Sequence, residues 1–152
     1  DFHTITVLGI AATPLFELRG AIPFAILKLG WAWEHALVVA LLGNLAVIPL
    51  LVHGFDWVER MGRRTRLIHS LFLWWVERGR VHITQLRLGW GIDVALALFV
   101  AIPLPGTGAW TGALIAWLLG IPALRATISI GAGVLLAGFI VAAGTNGLIR
   151  LF

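Results

Sequence analysis

The sequence contains no cysteine and no tyrosine, and only 12% of its 152 residues are charged. The missing thiols exclude disulfides and thiolate metal sites. The shortage of charge excludes an ordinary soluble surface, since soluble domains carry about 25% charged residues. Apolar residues fill the gap: 60% of the chain is hydrophobic and its mean hydropathy is +0.98. The chain therefore reads as an integral membrane protein, with room for one membrane domain and no soluble one. Tryptophan, by contrast, is plentiful. Trp31, Trp33, Trp57, Trp74, Trp75 and Trp90 flank the hydrophobic runs, where interfacial indoles belong.

Charge is also scarce in most of the sequence and concentrated in one part of it. Residues 1–55 hold Arg19 and Lys28 against Asp1, Glu17 and Glu34, a net −1. Residues 56–93 hold seven arginines against Asp56, Glu59, Glu77 and Asp93, a net +3. After Asp93 there is no acid, only Arg125 and Arg150. The positive-inside tendency of membrane proteins explains this distribution and places the basic loop 56–90 in the cytoplasm of a prokaryotic-type cell membrane. A nucleic-acid partner is the weaker explanation, and none is expected. Within the loop, Trp57, Met61, Ile68, Leu71, Phe72 and Trp75 recur at helical spacing opposite a basic face. This predicts an amphipathic helix lying in the interface, anchored to lipid headgroups.

Long uninterrupted hydrophobic runs are few. Residues 36–52 and 126–144 are full-length spans without an ionisable side chain. The remaining apolar runs, 2–12, 21–29, 92–102 and 109–119, are too short to cross alone. Eleven residues at ~1.5 Å each reach about half of a ~30 Å hydrocarbon core. Between the first two lies Thr13-Pro14-Leu15-Phe16-Glu17-Leu18-Arg19-Gly20, and between the last two Pro103-Leu104-Pro105-Gly106-Thr107-Gly108. Neither stretch suits a helix interior, because proline removes a donor and glycine weakens the helix. Lipid accepts broken backbone only where protein or a water-filled cavity covers it. The spacing predicts two re-entrant helical hairpins. The alternative for the first is a single helix over 2–29, kinked at Pro14 and Pro23.

Each half then reads short run, broken turn, short run, full span. Arg19-Gly20-Ala21 matches Thr107-Gly108-Ala109 at an offset of 88, and Leu29-Gly30 matches Leu119-Gly120 at an offset of 90. The expected fold is all-α and membrane-integral: two inverted repeats, each a re-entrant hairpin plus one transmembrane helix, joined by the amphipathic loop. The single membrane domain covers 1–152, with repeat one at 1–55, the loop at 56–90 and repeat two at 91–152. Such an arrangement brings two broken tips together near the midplane, as in secondary transporters. Half-helix N-termini at about Gly20 and Gly108 would then face one spot and favour an anion.

The motif Glu17-Leu18-Arg19-Gly20-Ala21-Ile22-Pro23, the pair Gly43-Asn44, and the stretch AIPLPGTGAWTG over 101–112 resemble the small multidrug export protein family. The resemblance covers nearly the whole chain and implies a small membrane exporter. The paired hairpins are also similar to those of the DedA superfamily, which implies a second possibility, a flippase for polyprenyl-phosphate or phospholipid.

Candidate site residues follow from the tips. Glu17 and Arg19 are intramembrane charges, which cost ~2.5–3.5 kcal/mol each on insertion scales and normally face a cavity or a partner. Arg19 would bind a substrate anion while Glu17 exchanges a proton; alternatively the two neutralise each other or cap the broken backbone. Gly20 belongs to the same tip. Pro105, Gly106, Thr107, Gly108 and Thr111 would line the opposite side. Asn44, mid-span, is either an interhelical hydrogen-bonding residue or a substrate ligand.

The five histidines are scattered without metal-ligand spacing, so no metal and no cofactor is expected beyond a coupling proton. No nucleophile–base pair and no nucleotide motif is present, so an enzyme is not expected. The expected function is export of amphipathic or anionic small molecules, by a homodimer embedded in membrane lipid. The alternatives are a lipid-phosphate flippase and a non-transporting scaffold.

Overall fold

The computed structural model describes residues 2–62 and 90–151. Six α-helices make up the described chain, and no strand occurs among the described residues. They are α1 (Phe2–Ala12), α2 (Glu17–Leu29), α3 (Trp33–Gly62), α4 (Trp90–Ala101), α5 (Ala109–Leu118) and α6 (Ala123–Leu151). The order is short, short, long, twice over. With 30 and 29 residues, α3 and α6 are about 45 Å long at 1.5 Å per residue, more than a ~30 Å hydrocarbon core requires. Both are apolar enough to cross a membrane. The other four, of 10 to 13 residues, reach only about 15–20 Å.

The breaks fall where proline and glycine put them. Helix α1 stops at Thr13-Pro14; Thr13 folds its hydroxyl back onto the Ile10 carbonyl at 2.7 Å. Helix α2 begins at Glu17, so Glu17, Leu18, Arg19 and Gly20 form its first turn rather than part of the break. The kinked single helix over 2–29 is not formed. Pro103 and Pro105 end α4, and Gly108, in extended conformation, precedes α5. Both short pairs leave by the same turn. Gly30 and Gly120 take left-handed φ values of 66° and 67°. The next residue's N–H then reaches back, Trp31 to the Ala25 carbonyl at 3.1 Å and Ile121 to the Ala116 carbonyl at 2.9 Å. The bond from Ile121 is the Schellman closure, and the one from Trp31 reaches one residue further back; the left-handed glycine permits both.

The two long helices pack antiparallel. Gly138 of α6 faces Leu37 and Leu41 of α3, whereas Gly131, further back, meets Leu45. Their inward stripes, Leu37, Ala40, Asn44, Ile48 and Leu51 on α3 and Ala126, Ile130, Val134 and Ala137 on α6, are buried. Their outward faces are apolar too: Val38, Leu42, Leu50, Leu135, Leu136, Phe139 and Ile140 are all exposed. A helix hydrophobic all round suits lipid rather than water.

Each long helix also carries one glycine against a short helix of its own half. A Cβ on Gly43 would meet the Leu8 carbonyl of α1 at 2.7 Å, and one on Gly133 would meet the Ala97 carbonyl of α4 at 2.5 Å. Gly133→Ala is expected to lower stability by about 1–3 kcal/mol through overpacking, despite alanine's ~1 kcal/mol advantage in helix propensity. Gly144→Ala, on the same helix with nothing within 4 Å of its Cβ, keeps that advantage and loses nothing. Thermal melts of both variants in detergent make the comparison.

The helices overrun the expected spans of 36–52 and 126–144 at both ends. In particular, α3 continues through Trp57 and Met61 to Gly62, so no break separates residue 55 from residue 56. The rest of the amphipathic segment expected over 56–90, up to the start of α4, lies outside the described residues.

Candidate functional site

The two breaks meet. The tip of the α1–α2 pair inserts its first helical turn between the end of α4 and the start of α5. Glu17 and Arg19 lie two residues apart and form an ion pair, Arg19 Nη1 to Glu17 Oε2 at 2.9 Å, with side chains only 6% exposed for Glu17 and 15% for Arg19. Neither charge is left to the other alone. The Glu17 carboxylate accepts the backbone N–H groups of Ala109, at 3.2 Å, and Trp110, at 3.3 Å. These are two of the unpaired donors at the N-terminus of α5, where the helix dipole favours an anion. The Arg19 guanidinium does the reverse job at the end of α4. Its Nη2 donates to the carbonyls of Val100 at 3.0 Å and Ile102 at 2.9 Å, and to the Thr107 hydroxyl at 3.1 Å. The Thr107 hydroxyl in turn lies 2.6 and 2.8 Å from the carbonyls of Ile102 and Leu104, to which it can donate.

One acid and one base from the first half thus close both ends of the gap in the second. The geometry requires two local concessions. Glu17 itself adopts φ 47°, the only positive φ at a non-glycine residue among those described. That conformation costs an L-residue roughly 1–2 kcal/mol, and it aims the carboxylate across the gap. Gly108 supplies the space: a Cβ there would overlap the Glu17 carboxylate. Its own backbone, at φ −88° and ψ −164°, is open to any residue, so only the carboxylate demands glycine.

The closure is reciprocal. The Trp110 indole N–H donates to the Ala12 carbonyl, the last of α1, at 3.1 Å. The second half therefore caps the first half's break, with a neutral donor where the first half uses a charged one. Sequence reasoning missed Trp110. It was one of eight tryptophans and lay away from the expected interfaces; its position three residues beyond Thr107, at the start of a helix whose N-terminus was already suspected, was the available signal.

Above this closure lies a cleft of about 280 Å³, lined by Pro14, Leu15, Phe16, Glu17, Arg19, Gly20, Pro103, Pro105, Gly106, Gly108 and Thr111. Its apolar wall is Pro14, Leu15, Phe16, Pro103 and Pro105, all exposed, and Ile102 and Leu104 are exposed in the same α4–α5 break. Its floor is the ion pair. Eight expected site residues thus come together, Glu17, Arg19, Gly20, Pro105, Gly106, Gly108 and Thr111 on the cleft wall and Thr107 bonded to Arg19 behind it. Asn44 does not join them. It is fully buried on α3, and neither atom of its carboxamide has a hydrogen-bond partner, so the expected interhelical hydrogen bond is not made.

A second ion pair, between Asp93 in the first turn of α4 and Arg125 in the first turn of α6, ties those helix starts together, with Arg125 Nε 3.1 Å from the carboxylate. Among the described residues no cluster of three His, Cys, Asp or Glu stands close enough to hold a metal.

No curated protein and no solved structure matches the chain. The model of one family, described as Putative small multi-drug export protein, matches residues 17–140. The match begins at Glu17 and takes in the Glu17–Arg19 tip, the capping partners on α4 and α5 and most of both long helices. It covers well over half of the sequence, and the chain belongs to that export protein family.

Proposed function

We propose that this chain is a small integral-membrane exporter of amphipathic or anionic molecules, and that the cleft between the two broken helix pairs is its substrate site. One observation carries the reading: a cleft with an apolar wall whose floor is a buried ion pair bridging broken helix ends. Intramembrane charges that face a cavity mark substrate pathways. The floor also offers a way to couple binding to motion. An anionic group entering the cleft competes with the Val100 and Ile102 carbonyls for the Arg19 guanidinium. Binding it releases the end of α4. A proton on Glu17 weakens its hold on the start of α5, which makes Glu17 the coupling residue.

The proposal includes two inverted repeats with re-entrant hairpins. Three features support it. The order of helices repeats. Gly43 and Gly133, 90 residues apart, make the same contact with a carbonyl of the first short helix of their own half, and the glycine exits at Gly30 and Gly120 are 90 apart as well. The corresponding long helices run antiparallel, as inverted halves require. The basic loop lies in the cytoplasm in this reading, and two copies assemble in the membrane.

The exposed Leu15 and Phe16 of the cleft wall, with Ile102 and Leu104 exposed in the α4–α5 break, also favour a second reading, in which the anion is a lipid phosphate whose tail stays in the bilayer. Liposome assays with an anionic dye, an amphipathic cation and a polyprenyl phosphate separate the readings. Wild type is expected to move an anion, dye or lipid. Arg19→Ala is expected to slow it about tenfold or more, the equivalent of one charge-assisted hydrogen bond, and Thr111→Phe is expected to slow it as well, by filling the cleft. Movement of none of the three leaves a scaffold as the remaining role.

A further inference from the structure

Asn44 is the most deeply buried of the polar residues that the cleft does not use. Its exposure is 0%, and both Oδ1 and Nδ2 lack a protein partner. Buried carboxamides are nearly always hydrogen-bonded, because an unpaired donor or acceptor away from water destabilises the fold.

Packing does not require an amide here. Gly43 and Gly133 make matching contacts with α1 and α4, and the residue after each is buried: Asn44 in one case and Val134, 1% exposed, in the other. The corresponding packing environment accepts an apolar side chain. The next residue in the chain offers a second polar group. Residue 49, four positions after Leu45, is a proline inside α3, so the Leu45 carbonyl has no N–H to receive at its helical position. The spot is level with the last turn of α1, since Gly43 touches Leu8 and Ala11, and so lies close to the break that the cleft opens onto.

From these observations we infer that Asn44 binds a water molecule in the protein interior, one level below the cleft. The chemistry selects water over an ion. A carboxamide presents an acceptor and a donor together. A cation would satisfy Oδ1 and face the Nδ2 hydrogens; an anion would do the opposite. Water satisfies both and has a hydrogen left for a carbonyl such as that of Leu45. The polar path through the membrane domain then extends beyond the ion pair, into the crossing of the two long helices. This inference does not rest on any particular transported substrate.

The sequence makes the test clean, because it holds just two asparagines, Asn44 and Asn146. Protein labelled with 15N-asparagine shows two side-chain amides, and Asn146→Gln assigns them. The expected result is a water-to-amide Overhauser signal on Asn44 Nδ2 with the sign of a long-lived bound water. Cross-peaks to detergent or protein alkyl protons alone, with none to water, overturn the inference. A melt of Asn44→Val tests the same point independently. The variant is expected to melt below wild type, because a satisfied amide is lost; melting at or above wild type means that the amide was unpaired, and also overturns it.

Discussion

Replacing Glu17 by alanine is expected to destabilise the protein by about 3–5 kcal/mol, the usual cost of removing one partner of a buried ion pair. Three effects add at this position. The N–H groups of Ala109 and Trp110 lose their acceptor. Arg19, with its side chain 15% exposed, loses its counter-ion. The backbone stays at φ 47° without the carboxylate contacts that hold it there. The last point separates two variants that otherwise look alike. Glu17→Gly removes the same carboxylate, but glycine occupies positive φ without penalty. It should therefore be about 1 kcal/mol more stable than Glu17→Ala, reversing the usual order of alanine over glycine in a helix. The double variant Glu17→Ala/Arg19→Leu should cost clearly less than the sum of its parts, since it leaves no unpaired charge. Unfolding of wild type, the two single variants and the double variant in detergent completes the cycle. Additive losses would mean that the two side chains do not act as a unit.

Gly108→Ala should come close to the Glu17→Ala loss although it adds only a methyl group to a permissive backbone. The new Cβ would occupy the place of the Glu17 carboxylate, and a buried carboxylate expelled from its caps has no other partner nearby than Arg19. The signature is non-additivity. In the Glu17→Ala background the carboxylate is gone, and the same Gly108→Ala step should cost less than about 1 kcal/mol. A cost that persists in that background would mean that the glycine is needed for something other than room. Transport assays on the same set ask whether the closure serves export as well as stability.

Much of this architecture was legible in the sequence. Pro14, Pro103 and Pro105 mark the breaks, each beside a second feature unfavourable to helix, whereas Pro23 and Pro49 stand alone in apolar runs and lie inside α2 and α3. Glu17 and Arg19 stood out because charge is costly among apolar neighbours, and Gly30 and Gly120 announced the exits. The helix limits were less legible. Hydropathy marks the part of a helix that lipid can cover, not the part that is helical, so α3 and α6 run several residues past the apolar windows. The partners were hidden altogether. Glu17 and Ala109 are 92 residues apart, and Arg19 and Ile102 are 83 apart; no local pattern encodes which broken end a side chain will cap. The same holds for Trp110, whose indole works as a cap, and for Asn44, whose polarity suggested a helix–helix bond that the packing does not provide.

The reciprocal capping has a consequence for how the protein is made. Synthesis proceeds at about 5–20 residues per second. On that scale, the first tip leaves the ribosome roughly five to twenty seconds before the segment it must cap exists. Throughout that interval Glu17 and Arg19 have only each other, and the Ala12 carbonyl waits for an indole 98 residues downstream. A charged half-helix in that condition belongs at the bilayer surface rather than in its interior. In the proposed re-entrant arrangement, the first hairpin would reach its final depth only when the second arrives. A chain truncated before Ala109 keeps α3 and so stays in the membrane, but a cysteine placed at Leu15 should react faster with a water-soluble reagent in it than in the full chain; equal reactivity would mean that the first tip reaches its depth alone.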